Sequence, residues 1–193
     1  MKLHDLILKN RSYRRFDEKH RLSEEELLAL VDAARLSPSA GNLQRIRYAT
    51  VTDAATCDAL FGNLAFAAYL KDFAGPAAGE RPAAYLVLFT EKAPDSTLGI
   101  DIGIATEAIL LSAVERGLGG CVIRSFRREA VDALFGFEGW HPELVIALGA
   151  PIEHVELVGV TDGDIRYYRL PDGTHRVPKR SLDEVILKKE SGT

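Results

Sequence analysis

Between positions 98 and 123 the apolar side chains fall on nearly every side of a helical wheel: Ile100, Ile102, Ile104, Ala105, Ala108, Ile109, Leu110, Leu111, Ala113 and Val114. A helix that is apolar all round is expected in the interior, because a surface helix keeps one polar face. Asp101, Glu107, Glu115 and Arg116 interrupt the run, so it reads as a core helix and not as an unbroken apolar membrane span. Gly117 suits a left-handed helix end. Directly behind it, residues 119–123 (Gly-Gly-Cys-Val-Ile) read as a short buried strand.

The same reading places the other elements. Leu3, Leu6 and Ile7 predict a short amphipathic helix over 3–9. Ser23 with Glu26 forms a capping box, and Leu22 with Leu27 the matching staple, opening a helix that keeps its period to Leu36. Pro38 disfavours helix at Ser37 and ends it. A strand is expected over 46–52, a helix over 54–61, a buried strand over 84–90, a helix over 127–135 and a strand over 144–148. Leu64, Phe66, Tyr69, Leu70 and Phe73 have helical spacing and predict a helix. Phe61, Phe66, Tyr69 and Phe73 are expected to pack in the core, the alternative being that they cover the substrate side of a bound ligand. Residues 165–170 and 174–177 flank Pro171-Asp172-Gly173, a turn signal, and predict a hairpin. Ser181 with Glu184 opens a last helix. No repeat, linker or low-complexity tract is present, so residues 1–193 are expected to be one mixed α/β domain with four or five strands.

Composition narrows the class. At 193 residues, 47% apolar and 27% charged, the chain can bury a substantial core. A net charge of −4 argues against general nucleic-acid binding, which needs a basic face. Cys57 and Cys121, far apart, give no disulfide framework. The first residues carry Lys2, His4 and Asp5 with no apolar core segment, so no signal peptide is read. The expected setting is cytoplasmic, with no membrane partner.

Several chemistries lack their motifs. The five histidines show no metal-ligand spacing, and neither a nucleophile elbow nor a Walker loop occurs. In Gly117-Leu118-Gly119-Gly120, Val122 stands where a dinucleotide fingerprint needs glycine, and the order is helix then strand. What remains is three basic clusters in an acidic chain: Arg11, Arg14 and Arg15; Arg124, Arg127 and Arg128; Lys179 and Arg180. Each suits a solvated face or, through guanidinium forks, a phosphate site. Alternation along an extended segment points Arg15 into solvent, away from Arg14.

Taken in order, Arg11-Ser12-x-Arg14-x-Phe16, Ser37-Pro38-Ser39-Ala40-Gly41-Asn42-x-Gln44 and Gly117-Leu118-Gly119 resemble the FMN-dependent nitroreductase family, and the resemblance runs on to Lys179-Arg180-Ser181-Leu182. It implies an α+β fold, a mainly antiparallel central sheet wrapped by helices, in an intertwined homodimer with one FMN at each of two interface clefts. By this resemblance Arg11 and Ser12 meet the flavin phosphate and ribityl chain, and Arg14 lies at the pyrimidine edge. Pro38, Ser39, Ala40 and Asn42 reach the same flavin from the second chain. Backbone groups at Arg124 and Ser125 approach N5, and Lys179 and Arg180 close on the phosphate.

The activity implied is FMN-dependent oxidoreduction. Hydride passes from NAD(P)H, and a nitro, quinone or enone-type small molecule then takes it in a ping-pong cycle that needs no catalytic acid–base pair. The alternatives are an FMN-binding module without turnover, or a flavin-cleaving or dehalogenating branch of the family. The chain departs from many relatives at Asn10, at Arg45-Ile46 where they have Pro-Trp, and at Arg124-Ser125 where they have Glu-Gly.

Overall fold

A computed structural model describes residues 1–67, 69–70, 73–91 and 93–187. They form two compact units, one of residues 1–66 with 74–152, the other drawn from 67–73 and 153–193.

The first unit is built on β1 (Arg47–Val51), β2 (Ala84–Thr90), β3 (Gly119–Ile123) and β4 (His141–Gly149), hydrogen-bonded in the order β1-β2-β4-β3 with every pair antiparallel. All seven residues of β2 are buried, which follows from an apolar run covered by helices on both faces. Alternation divides them. Leu86 and Leu88 join α2 (Glu24–Leu36) and α4 (Ser96–Glu115) in one core cluster. Tyr85, Val87 and Phe89 join α3 (Ala54–Phe61) and α5 (Arg128–Phe135) in the other. This is the expected α+β class, a mainly antiparallel sheet wrapped by helices.

Local signals explain the element ends. Ser23 and Glu26 make both bonds of the capping box, and these bonds hold the Glu26 carboxyl below its ordinary pKa. Leu22 and Leu27 beside them are buried. Asp95 caps α4 through the Leu98 N–H at 2.7 Å, and Gly117 takes the left-handed conformation, φ 77°, beyond its end.

Three expectations change. First, α4 is not buried all round: Leu98, Ala105, Ile109, Leu110, Ala113 and Val114 face the core, while Ile100 is 63% and Ile104 37% exposed. By length and composition alone this helix could cross a membrane, which the interrupting charges were read to exclude. Helix α1 (Leu3–Lys9) likewise buries none of its residues. Second, the described residues of 62–73 form no helix. Leu64 instead bridges to Phe126, Asn63 O accepts the Arg127 N–H at 3.0 Å, and Ala67 has φ 48°. Pairing with the segment after β3 overrides the helical spacing. The Phe61 and Phe66 rings still pack together at 5.8 Å, whereas Tyr69, expected in the core, is 55% exposed. Third, β4 begins at His141, earlier than expected, and a bulge opposite Leu88 and Phe89 accommodates Pro142.

The second unit contains β5 (Val155–Gly159), β6 (Tyr168–Arg169), β7 (His175–Lys179) and one turn of helix, α6 (Leu182–Val185). The expected hairpin is present as β6–β7, turning on Gly173 at φ 89°, but β5, which runs parallel to β7, was not anticipated. Tyr167 stacks near both Tyr69 and the buried His175. Arg169 pairs with the buried Glu153 and lies over Phe73.

Candidate functional site

Residues 11–16 run as an extended segment along β3. The Tyr13 N–H donates to Gly120 O at 3.0 Å, and Ser12 bridges to Gly120. So close an approach needs glycine in the strands. A Cβ on Gly119 would lie 2.5 Å from the Tyr13 ring and one on Gly149 2.9 Å from Phe16, while one on Gly120 would meet not this segment but Ala147 O, at 2.9 Å. Phe16, fully buried, anchors the far end.

This anchoring fixes the arginines. Arg14 is buried and donates through Nη1 to Ser12 O at 3.1 Å. Arg11 donates through Nη2 to Ile7 O at 2.6 Å, the C-terminal half of α1, while its buried Nε has no hydrogen-bond acceptor among the described residues. Arg15 is not simply solvated as alternation suggested: it forms a two-point ion pair with Glu80. Asn10 donates to both carboxylate oxygens of Glu107 on α4 at 3.2 Å.

The second predicted segment, residues 37–44, leaves α2 at Ser37 and turns through a short 3₁₀ stretch, Ala40–Asn42. Its backbone is unusual. Gly41, Asn42 and Gln44 all have positive φ (56°, 53° and 50°), a region that residues with a Cβ seldom adopt. Pro38 and Asn42 are exposed, Ser39 and Ala40 half-buried.

Asp101 was read only as an interruption of an apolar helix. It is 4% exposed, and its Oδ1 accepts the Ala40 N–H at 2.9 Å. Arg45 reaches it at 3.8 Å and Asp95 at 3.2 Å. That pairing, after the Leu98 N–H, keeps the Asp95 carboxyl below its ordinary pKa. The available signal was a carboxylate flanked on the helix by Leu98, Ile100, Ile102, Ile104 and Ala105. Pro38, Ser39, Arg45, Tyr48 and Asp101 are among the residues lining a cavity of about 250 Å³. Burial pushes the Tyr48 phenol up to about 12, so it stays protonated at any working pH.

The remaining predicted residues lie elsewhere. Arg124 and Ser125 follow β3 directly, both exposed; the Ser125 carbonyl accepts the Ala65 N–H at 2.8 Å. Arg124, Arg128, His141 and Glu143 are among the residues lining a wider cleft of about 520 Å³. Lys179 ends β7 and Arg180 pairs with Glu184 at 3.6 Å, both on the second unit. The structure thus sets Ser12 and Tyr13 against Gly120 of β3, places 124–125 directly after that strand, and ties Ala40 to α4 through Asp101.

These features define a class: an α+β protein whose sheet carries a rigid arginine segment with a spare buried donor, suited to an anionic ligand, next to a left-handed turn. Residues 7–150 match the family model of the nitroreductases, and the chain belongs to the nitroreductase family, a family of oxidoreductases. Solved structures agree on the fold. The chain is similar to a nitroreductase family protein from Streptococcus pneumoniae TIGR4 (17% identity, 97% of this chain and 100% of that one, TM-score 0.67). It is also similar to an FMN-dependent nitroreductase from Clostridium difficile R20291 (22%, 84% and 94%, TM-score 0.63). A third is the NADPH:FMN oxidoreductase from Vibrio harveyi complexed with NAD+ (24%, 78% and 69%, TM-score 0.60). Among curated protein sequences none matches.

Proposed function

We propose that this nitroreductase-family chain is an FMN-dependent enzyme that takes hydride from NAD(P)H and reduces nitro, quinone or enone-type small molecules by a ping-pong mechanism. The observation that carries the reading is the 11–14 segment: two arginines flank Ser12 and Tyr13, which pair with Gly120 of β3, and the buried Arg11 Nε lacks an acceptor among the described residues. A buried donor without a partner is costly, and a phosphate oxygen satisfies it.

FMN, when bound, supplies the hydride chemistry. The chain's part is to hold and orient it. Arg11 and Ser12 take the phosphate and ribityl groups, with Lys179 and Arg180 adding positive charge. Arg14, already fixed by Ser12 O, sets a permanent cation at the flavin's pyrimidine edge. Arg124 and Ser125 offer backbone groups toward N5.

A second copy supplies Pro38, Ser39, Ala40 and Asn42. The apolar residues left uncovered on α1 and α4, Leu3, Ile7, Leu8, Ile100 and Ile104, support that homodimer. Burying a side chain of this size contributes about 1.5–3 kcal/mol. A cytoplasmic setting suits the two buried free thiols, Cys57 and Cys121.

The test is the visible spectrum of the purified protein. We expect flavin absorption that bleaches on NADH or NADPH and returns when a quinone or nitroarene is added, with FMN as the heat-released chromophore. A protein that is colourless and takes up no FMN, or that releases FAD, contradicts the reading. Bleaching by NAD(P)H without return on any acceptor leaves only a flavin-binding module.

A further inference from the structure

The turn at residues 39–44 has little to hold it. Its own hydrogen bonds are local: the Asn42 N–H to Ser39 O at 3.0 Å, the Leu43 N–H to Ala40 O at 3.1 Å and the Gln44 N–H to Ser39 Oγ at 3.3 Å. Among the described residues, only the Ala40 N–H to Asp101 bond ties it to an element distant in sequence. Beside that bond lies a cavity, so packing does not take over the task. Yet three of its residues, two of them with side chains, sit in a backbone region they would leave if released.

We infer that Asp101 is a positioning residue of the cofactor half-site. Its carboxylate, faced by Arg45, holds the 39–44 turn in the left-handed geometry in which Ser39, Ala40 and Asn42 are presented to the flavin of the second copy. The inference rests on the FMN reading above and deepens it.

A carboxylate so buried in an apolar helix face is expensive unless it is paired and bonded. Here Oδ1 has the Ala40 amide, and Oδ2, with no hydrogen-bond donor among the described residues, faces the Arg45 guanidinium at 3.8 Å. Arg45 is itself fastened to Asp95, the residue that caps α4. A line of contacts therefore runs from the start of the helix through Arg45 and Asp101 to the Ala40 amide. The carboxylate is not aimed at the reacting atoms. Its effect passes through the turn.

Two measurements on the full chain test this. Amide exchange on the cofactor-free protein reads the turn directly, and quenching of flavin fluorescence reads FMN affinity. In Asp101→Ala we expect exchange over 39–44 to rise about tenfold, the equivalent of one lost charge-assisted bond, with β2 and the core face of α4 unchanged. FMN affinity should fall by a similar factor, about tenfold. Asp101→Asn keeps an acceptor for Ala40 but loses its charge, so it should restore most of the protection and much of the affinity. If Asp101→Ala does not fold, Arg45→Gln and Asp101→Asn carry the test, each with a local rise of about threefold expected from weakened pairing.

A purely structural role predicts a different result: protection lost throughout the sheet. That result overturns the inference, as does an unchanged turn in Asp101→Ala, or a loosened turn with unchanged FMN affinity. A wild-type chain that binds no FMN overturns the FMN reading instead. FMN binding by the wild type, with the turn indifferent to Asp101, overturns this inference alone.

Discussion

The two segments assigned to the cofactor are held in opposite ways. Residues 11–16 are built into the sheet: the Tyr13 amide bonds Gly120, the Phe16 amide bonds Glu80 O, the Ile152 amide bonds Arg15 O, and Phe16 fills the core. Residues 39–44 stand off the body of the unit on one carboxylate, with three residues at positive φ. On the proposed reading the first half-site is held by the sheet without ligand and costs little to order on binding. The second must be kept in place, so ligand affinity there is coupled to conformation. Both attach to α4, at Glu107 through Asn10 and at Asp101. Six residues separate these points, about 9 Å along the helix.

The sharpest test of this contrast uses one added methyl group in each half. A Cβ on Gly120 meets Ala147 O at 2.9 Å and Leu110 Cδ2 at 2.7 Å, and backbone cannot step aside cheaply. Gly120→Ala should therefore cost about 1–3 kcal/mol, read as a lower Tm, and should weaken FMN binding with it. Gly41→Ala has only Leu43 Cγ at 3.7 Å, so its cost comes from φ +56° and stays local. We expect about 1–2 kcal/mol in FMN affinity and little change in the Tm of the cofactor-free protein. Equal losses of Tm in the two variants would break the comparison.

A smaller effect is expected from Arg14. Two-electron reduction can leave negative charge on the flavin, and a guanidinium at its edge, where the proposal sets Arg14, favours that charge. Removing about 1.4 kcal/mol of this interaction lowers a two-electron potential by ~30 mV. Arg14→Gln, saturated with FMN, should show that shift and slower reduction by NAD(P)H.

The smallest effect is assigned to Arg15. Its ion pair with Glu80 is partly exposed, and such pairs contribute about 0–1 kcal/mol. Arg15→Gln should lower Tm slightly and leave the potential unchanged. A shift equal to that of Arg14→Gln would deny Arg14 its special position.

How much of this was legible follows from what each element needs. Strand β2 and helix α2 are self-contained signals: an apolar run bounded by Pro82 and Glu91, and a capping box with its staple. Helix α4 was legible as a helix but not in its surroundings. Wheel symmetry implied burial, whereas Ile100 and Ile104 are exposed in the single chain. The aromatic spacing at 64–73 misled because a bridge between Leu64 and Phe126, 62 positions apart, decides the local backbone. Strand β5 escaped notice because it is short, half-exposed and lacks strict alternation. The arginine segment was legible as a cluster, but its rigidity comes from glycines more than 100 residues away. Asp101 was visible as an anomaly, and only the fold shows which amide it serves.

The central claim is that the rigid segment of one copy and the held turn of another complete a single FMN site. The direct measurement mixes two crippled chains. Arg11→Ala and Asn42→Ala, each binding FMN poorly alone, are unfolded together, refolded and titrated with FMN. If the site is shared between copies, mixed dimers contain one intact site and one doubly damaged site, and about a quarter of the wild-type binding capacity returns, since half the dimers are mixed. No recovery above the separate variants, or a flavin-loaded monomer in sedimentation at low concentration, would contradict the account.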